Sequence, residues 1–381
     1  MGAENLEVWN KALRLPNSKE HLALLIDNEV AWMNPRLAAH LPVKMGERDP
    51  SISFLVSHEG LEPDTSIEIR PGHARAGINP AGRQFELKDY PYTHHKGIGN
   101  SLIDHPRHPM WNPDRHLFGF FRKVWGLCDL QYAIHDAEIT EKLLKAGVQM
   151  GCVTSSISRL KQVPVSGKNG AIELLSETAE ETLSEILAKR LGPDVFSSRF
   201  VPAIQKYHYS WPIRVRDLTT VPRAEVIRLI DETIAHVSKK LQRPLTYSDY
   251  LFWFAENLGT NIGRMHRAGY FHNYIQDHNV QTDGGIVDTD WSKKLSKLPI
   301  LRQLQKRRDR KTTLKDTLDF TGLTDASTST IVGAPQVLDV LLGAFMNSPD
   351  DMYMKVHKVR SEDLEHAFRR AYKSAMRGKE K

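Results

Sequence analysis

The stretch from His266 to Asp288 constrains the fold more than any other part of the chain. His266-Arg-Ala-Gly-Tyr-Phe-His272 has the pattern of a helix stopped at Gly269, and Asn273-Tyr-Ile-Gln-Asp277-His278-Asn279 follows as a polar loop. Thr282-Asp283-Gly284-Gly285 then supplies the residue types of a tight hairpin turn. A helix, a loop and a hairpin in that order bring Asn279 and Asp288, nine residues apart, to one side. An amide oxygen and a carboxylate are hard ligands suited to magnesium, so these two are the expected metal pair, with Asp290 a nearby competitor. The competing interpretation is a polar hairpin with an Asn and two Asp at turn positions.

With 381 residues the chain can bury a large core and is expected to divide into two domains or lobes. A hydrophobic content of 40% and a charged content of 26% argue against disorder or a fibrous architecture. No apolar run is long enough to cross a bilayer. Met1-Gly-Ala-Glu-Asn-Leu-Glu-Val-Trp lacks the patterns of a secretory signal or transit peptide, so a cytoplasmic protein is expected. Cys128 and Cys152 are too few for a zinc cluster or a disulfide framework, consistent with a reduced compartment. The net charge of +6 favours anionic partners, yet the basic residues concentrate between Lys293 and Lys315 and in the C-terminal tail. Without aromatic interleaving or a nucleic-acid-binding module, this concentration is expected to be a solvated helical face.

Period-two alternation predicts short strands over Ser51 to Val56, Thr65 to Arg70 and Gln84 to Leu87. A glycine-bearing turn follows at Lys96-Gly97-Ile-Gly99-Asn-Ser101, then a loop rich in His, Pro and Trp from Asp104 to His116. Leu130 to Ala146 has helical spacing and a natural stop at Gly147. Cys152 to Val165 and Ala171 to Leu175 read as two strands joined by an Asn-Gly turn, and Tyr209 to Val215 as another strand. Thr178 and Glu181 have the spacing of a capping box opening a helix that ends at Gly192-Pro193. From Arg223 the chain is mainly helical: Val226, Ile227, Ile230, Ile234, Val237 and Leu241 form one stripe, and Thr246 caps a helix running through His266. Val337 to Met346 and Ser361 to Met376 are the later helices. Strands first and helices later predict an α+β class.

Several of these segments resemble protein-kinase-like folds. Met265-His266-Arg-Ala-Gly269-Tyr-Phe-His272 is similar to the Leu-His-x-x-Gly-x-x-His that precedes their catalytic loop, but Tyr274 stands where protein kinases keep the catalytic Asp. The selenoprotein O family of pseudokinases also lacks that Asp, and transfers AMP rather than phosphate. Lys96-Gly97-Ile-Gly99-Asn-Ser101 resembles that family's glycine turn, and Lys145-Ala-Gly147-Val148 the segment after its αC-type helix. Arg216 and Arg223 have the separation of its two phosphate-contacting arginines. The resemblance spans roughly residues 80 to 295.

It implies a bilobal protein-kinase-like fold: an N-terminal extension over 1–80, an N-lobe with β-sheet and αC-type helix over 81–222, and a helical C-lobe over 223–381. It further implies ATP and magnesium as cofactors and a protein hydroxyl as acceptor. Lys96 would contact phosphates, with Lys88 a rival, and would pair with Asp136 or Glu138; Arg216 and Arg223 would clamp the triphosphate; Asn279 and Asp288 would hold the metal. Asp277 and His278 are the candidate bases, because His278 stands where the family has an acid. The family's Asp-Gly before the αC-type helix is replaced by Trp125-Gly126, and its C-terminal redox residue is absent. An AMP transferase, a phosphotransferase on a small molecule or protein, and an inactive nucleotide-binding pseudokinase are the three functions to separate. The 17 histidines form no His-x-x-x-His helical pair, so they are expected to be loop and core residues.

Overall fold

The computed structural model describes residues 19–55, 63–69, 76–77, 90–99, 127–166, 172–191, 198–273, 275–310, 334–347 and 350–379. The expected strand over Gln84 to Leu87, the loop from Asp104 to His116, and Lys88, Ser101, Trp125-Gly126 and Tyr274 lie outside the described residues. The fold mixes helices and strands in two compact units, residues 1–137 with 153–209 and residues 138–152 with 210–381.

In the first unit, strands β1 (Lys19–Leu25), β3 (Ser53–Leu55) and β4 (Thr65–Ile69) form an antiparallel sheet in the order β3-β1-β4. Five further strands are β2 (Asn28–Met33), β5 (Ala76–Gly77), β6 (Tyr92–Lys96), β8 (Cys152–Leu160) and β11 (Pro202–Tyr209), ordered β2-β8-β11-β6-β5, with β7 (Cys128–Asp129) paired to β11. Helix α1 (Leu130–Lys145) buries Ala133 and Ala137 with Cys128, Ile157 and Ala203. A larger apolar cluster unites Ile26, Phe54, Leu55, Ile67, Leu160 and Ile204. Each such side chain removed from water stabilises the unit by about 1.5–3 kcal/mol.

Three expectations need correction here. The run from Cys152 to Val165 is broken at Lys161, whose N–H turns to the Asp27 carbonyl at 2.9 Å, so β8 ends at Leu160. A separate hairpin follows from β9 (Gln162–Ser166) and β10 (Ile172–Ser176). The expected cap at Thr178 does accept the Glu181 N–H at 3.0 Å, but helix α2 (Leu183–Leu191) begins later, behind a second reciprocal pair between Thr182 and Glu185. The strand expected over Tyr209 to Val215 lies instead over Pro202–Tyr209, because all eight of those residues are buried and the chain leaves the sheet at Ser210.

The second unit is mainly helical. Helices α3 (Asp217–Thr220), α4 (Arg223–Leu241) and α5 (Tyr247–Arg267) are followed by α6 (Pro299–Arg310), α7 (Ala334–Met346), α8 (Asp350–Val356) and α9 (Ser361–Met376), with a short ladder between β12 (Tyr270–Phe271) and β13 (Lys293–Lys294). Thr246 and Asp249 form the full capping box of α5. On α4 the buried stripe is Val226, Leu229, Ile230, Thr233, Ile234 and Val237; Ile227 and Leu241 of the expected stripe are only half-buried. Helix α5 is the axis of the unit, burying Tyr250, Phe254, Leu258, Ile262 and Met265. Gly259 and Gly263, four residues apart on one face, let α9 approach until Gly259 faces the Phe368 carbonyl: an added Cβ would stand 2.3 Å from that oxygen.

Candidate functional site

The loop from His272 to Asp288 is fixed from three directions within the second unit. The first is the chain that follows Ser210. Val215 donates its N–H to the Val280 carbonyl at 2.9 Å, Thr282 donates to Ile213 at 2.9 Å, and Arg214 bridges Gln281. The alternation of Ile213-Arg-Val-Arg thus runs antiparallel to the loop. Arg214 Nη1 donates to the His278 carbonyl at 2.8 Å, and the Arg216 N–H donates to the Asp277 carbonyl at 3.1 Å.

The second direction is the hairpin. Val280 pairs with Ile286, and the Val287 N–H donates to the Asn279 carbonyl at 3.0 Å. Asn279 and Val287 therefore face each other across the ladder, and Asp288 follows directly at the exit of the same hairpin. The turn between them is tied to α5: Tyr250 Oη donates to the Thr282 carbonyl at 2.7 Å and Asn261 Nδ2 to the Gly284 carbonyl at 3.1 Å. Gly284 sits at φ +79°, where a Cβ would be strained and would strike the Asn257 amide, so the turn favours glycine. Asp283 is buried and accepts the Gly285 N–H at 3.1 Å; burial raises its carboxyl, but His236 and Lys240 outweigh this and hold it below the usual range.

The third direction is Asp309 of α6. Its two carboxylate oxygens accept the N–H groups of His272 at 2.7 Å and Asn273 at 2.8 Å. His266 Nε2 lies 2.9 Å from the same carboxylate, and His266 Nδ1 lies 3.0 Å from Tyr372 Oη. Burial lowers the His266 pKa, so the ring is neutral: one nitrogen donates to Asp309 and the other accepts from the Tyr372 hydroxyl. His272 closes the arrangement with Nε2 at 3.0 Å from the Val287 carbonyl.

At the exit of the hairpin Asp288 is half-buried and adopts φ 60°, ψ 61°, the left-handed region that an L residue enters at a cost of about 1 kcal/mol or more. Thr289 beside it shares a hydrogen bond of 3.0 Å with Thr140. Asp277, Asn279 and the main chain around them are buried. Burial raises the Asp277 carboxyl, but the hydrogen bond from His278 and the charges of His278 and Arg216 outweigh it, so the group is held below the usual carboxylate range. His278 Nδ1 is 3.5 Å from Asp277 Oδ1.

The structure thus brings Arg216 against the loop that carries Asp277, His278, Asn279 and Asp288. Arg223 opens α4 and lines an exposed hollow with Arg228, Asp231 and Glu232. Arg214 was not anticipated, although the Arg-Val-Arg alternation carries the signal. Asn279 and Asp288 offer two oxygen ligands, and magnesium, which keeps several waters and takes phosphate oxygens, needs few protein ligands, so the pair fits that ion. Among the described residues no group of three or more His, Cys, Asp or Glu side chains could hold a metal ion.

In the first unit Lys96 closes β6 and is buried opposite Gln205 in the ladder. Gln205 Nε2 donates to Asp136 at 2.8 Å, so Lys96 and Asp136 flank the same glutamine. Glu138 is exposed and pairs with Lys142 one turn along α1. Gly97 and Gly99 have φ near +97° and +99°, and their missing Cβ positions are occupied by the Ala203 carbonyl and Cys128 and by Phe54 and Leu55. Packing therefore requires glycine at both places.

No protein-family model and no curated protein matches this sequence. Solved structures similar to it include a Toxoplasma gondii specific rhoptry antigen kinase domain, with a TM-score of 0.29 and 8% identity over 96% of this chain and 83% of that one. A rhoptry kinase from Toxoplasma gondii has the same TM-score and identity over 93% of this chain and 78% of that one. Among the described residues no helix is long and apolar enough to cross a membrane.

Proposed function

We propose that the protein is an ATP- and magnesium-dependent transferase of kinase-like fold that moves AMP to a protein hydroxyl. The observation that supports this is the ladder contact between Asn279 and Val287, the residue before the left-handed Asp288, in a loop clamped by Asp309. Two hard ligands on a rigid hairpin suit transfer chemistry that depends on positioning and electrostatics. Magnesium, when bound, would neutralise phosphate charge beside Asn279 and Asp288.

The chain's own groups would act as follows. Arg216, exposed beside Asp277, offers a planar fork for phosphate oxygens. Lys96 is the proposed phosphate-contacting lysine of the first unit, oriented with Asp136 about Gln205. The acceptor oxygen forms a bond to the α-phosphorus, the bond from that phosphorus to the bridging oxygen breaks, and pyrophosphate leaves. The hydroxyl proton passes to Asp277, which is ionised and oriented by His278.

Incubation of the protein with magnesium and ATP labelled at the α- or the γ-phosphate tests this directly. Label retained on protein from α-labelled ATP alone is expected. Label from γ-labelled ATP would replace the reading with phosphotransfer, and no label despite ATP binding by calorimetry would make the chain a nucleotide-binding pseudokinase.

A further inference from the structure

The acid-free stretch that follows the proposed site carries a second feature, independent of nucleotide chemistry. Residues 291–308 contain no Asp or Glu. Within them Leu298, Ile300, Leu301 and Leu304 are 62%, 75%, 45% and 37% exposed, which places one aliphatic side chain in water just before α6 and three in its first six residues. Scattered exposed leucines are ordinary, but four within seven consecutive residues are not. Lys293, Lys294, Lys297 and Arg302 are exposed in the same stretch. No carboxylate of the segment offsets them, and burial together with Arg302 and Arg310 lowers the Lys306 pKa.

The helix geometry separates this strip from the inward work of α6. Ile300 and Asp309 are nine residues apart, so at about 100° per residue they point to opposite sides. Asp309 is fully buried against the loop, while Ile300 is the most exposed large hydrophobic residue among those described.

The composition of the strip selects its occupant. An apolar protein partner would leave the interleaved lysines desolvated and their charges unpaired. An acidic peptide would pair the lysines but leave the aliphatic side chains in water. A bilayer interface satisfies both, because aliphatic groups enter the acyl boundary while lysine and arginine heads remain at the level of anionic headgroups.

We propose that Lys293–Leu304 is a peripheral docking surface for an anionic lipid membrane. The segment lies on the membrane plane with Ile300, Leu301 and Leu304 inserted and the cations around them on the headgroups.

Sedimentation of the full-length protein with vesicles tests it. Binding is expected to phosphatidylcholine vesicles containing phosphatidylserine and not to phosphatidylcholine alone, and it should weaken with added salt. Each of Lys293→Gln, Lys294→Gln and Lys297→Gln should lower the partition coefficient about fivefold, and Ile300→Ser with Leu304→Ser should abolish binding. Urea unfolding of every variant should match the parent, since all five positions are exposed. Failure of the folded parent to bind at low salt, or equal binding by the variants, overturns the proposal. Capture of polyglutamate without vesicle binding overturns it in favour of an acidic peptide. Self-association that the Ile300/Leu304 variant loses, again without vesicle binding, overturns it in favour of a second copy of the chain. Labelled-ATP transfer is read separately, so failure of one assignment leaves the other intact.

Discussion

The Asp309 carboxylate accepts the main-chain N–H of His272 at 2.7 Å, which anchors the start of the candidate loop to a helix that lies 37 residues further along the chain. The same group serves Asn273 and His266. Its removal would strand two buried main-chain donors and one imidazole donor. Asp309→Ala should therefore cost about 3 kcal/mol, read as a lowered urea midpoint, while Asp309→Asn, whose carbonyl oxygen still accepts, should cost less. Equal losses would mean that the carboxylate is not the anchor.

Asp288 should show the signature of a strained functional residue. Glycine relieves the left-handed conformation, so Asp288→Gly should raise stability by about 1 kcal/mol while lowering MgATP affinity at least about tenfold. Asp288→Asn, which tolerates the same backbone, should lose affinity with stability unchanged. Calorimetric titration and chemical unfolding on the same samples decide it; retained MgATP affinity in either variant would remove Asp288 from the site.

Asp277 predicts a pH dependence of known sign. Its folded pKa lies below the unfolded carboxylate value of about 3.9, because His278 and Arg216 outweigh burial. The stability it contributes is fully present above the unfolded value and disappears as pH falls through the folded one. Unfolding free energies of the parent and Asp277→Asn should differ at neutral pH and converge below about pH 4. An unchanged gap at low pH would show that the carboxylate is not held ionised.

Lys206 and Asp49 in the first unit form an ion pair of 3.4 Å at 8% and 1% side-chain exposure, joined by Ser51. Burial and the Lys206 charge push neighbouring His95 down to about 3, so it remains neutral. Lys206→Met leaves Asp49 buried without its counter-charge and should cost about 3–5 kcal/mol. The double variant with Asp49→Asn should cost less than the sum of the single ones. Additive losses in a double-mutant cycle would sink the coupling.

The sequence made the local features legible and left the remote ones hidden. Thr246 with Asp249, Gly147 after α1 and the turn at Gly284 are written in residues a few positions apart, and each stands where the pattern placed it. Asn279 and Asp288 could be paired from the sequence as a candidate because one hairpin joins them. Asp309 was not, since nothing near it in Lys-Arg-Arg-Asp-Arg marks a buried acid, and its partners are 36 to 43 residues away. The basic strip was expected as a solvated face; the lysines were legible, but the exposure of Ile300, Leu301 and Leu304 is set by which side α6 turns inward. Strands β1 and β2 escaped notice because neither alternates cleanly: half-buried and buried positions are mixed along both.

The close approach of α9 to α5 makes the far end of the chain a keystone for chemistry it never touches. Tyr372 reaches His266 only because Gly259 and Gly263 let the two helices lie almost backbone to backbone, and His266 in turn steadies the carboxylate beneath the loop. A bulky residue at either glycine, or a cut ahead of Ser361, would therefore act as a remote lesion of the candidate site. It would loosen the loop while leaving each of the loop's own residues in the sequence.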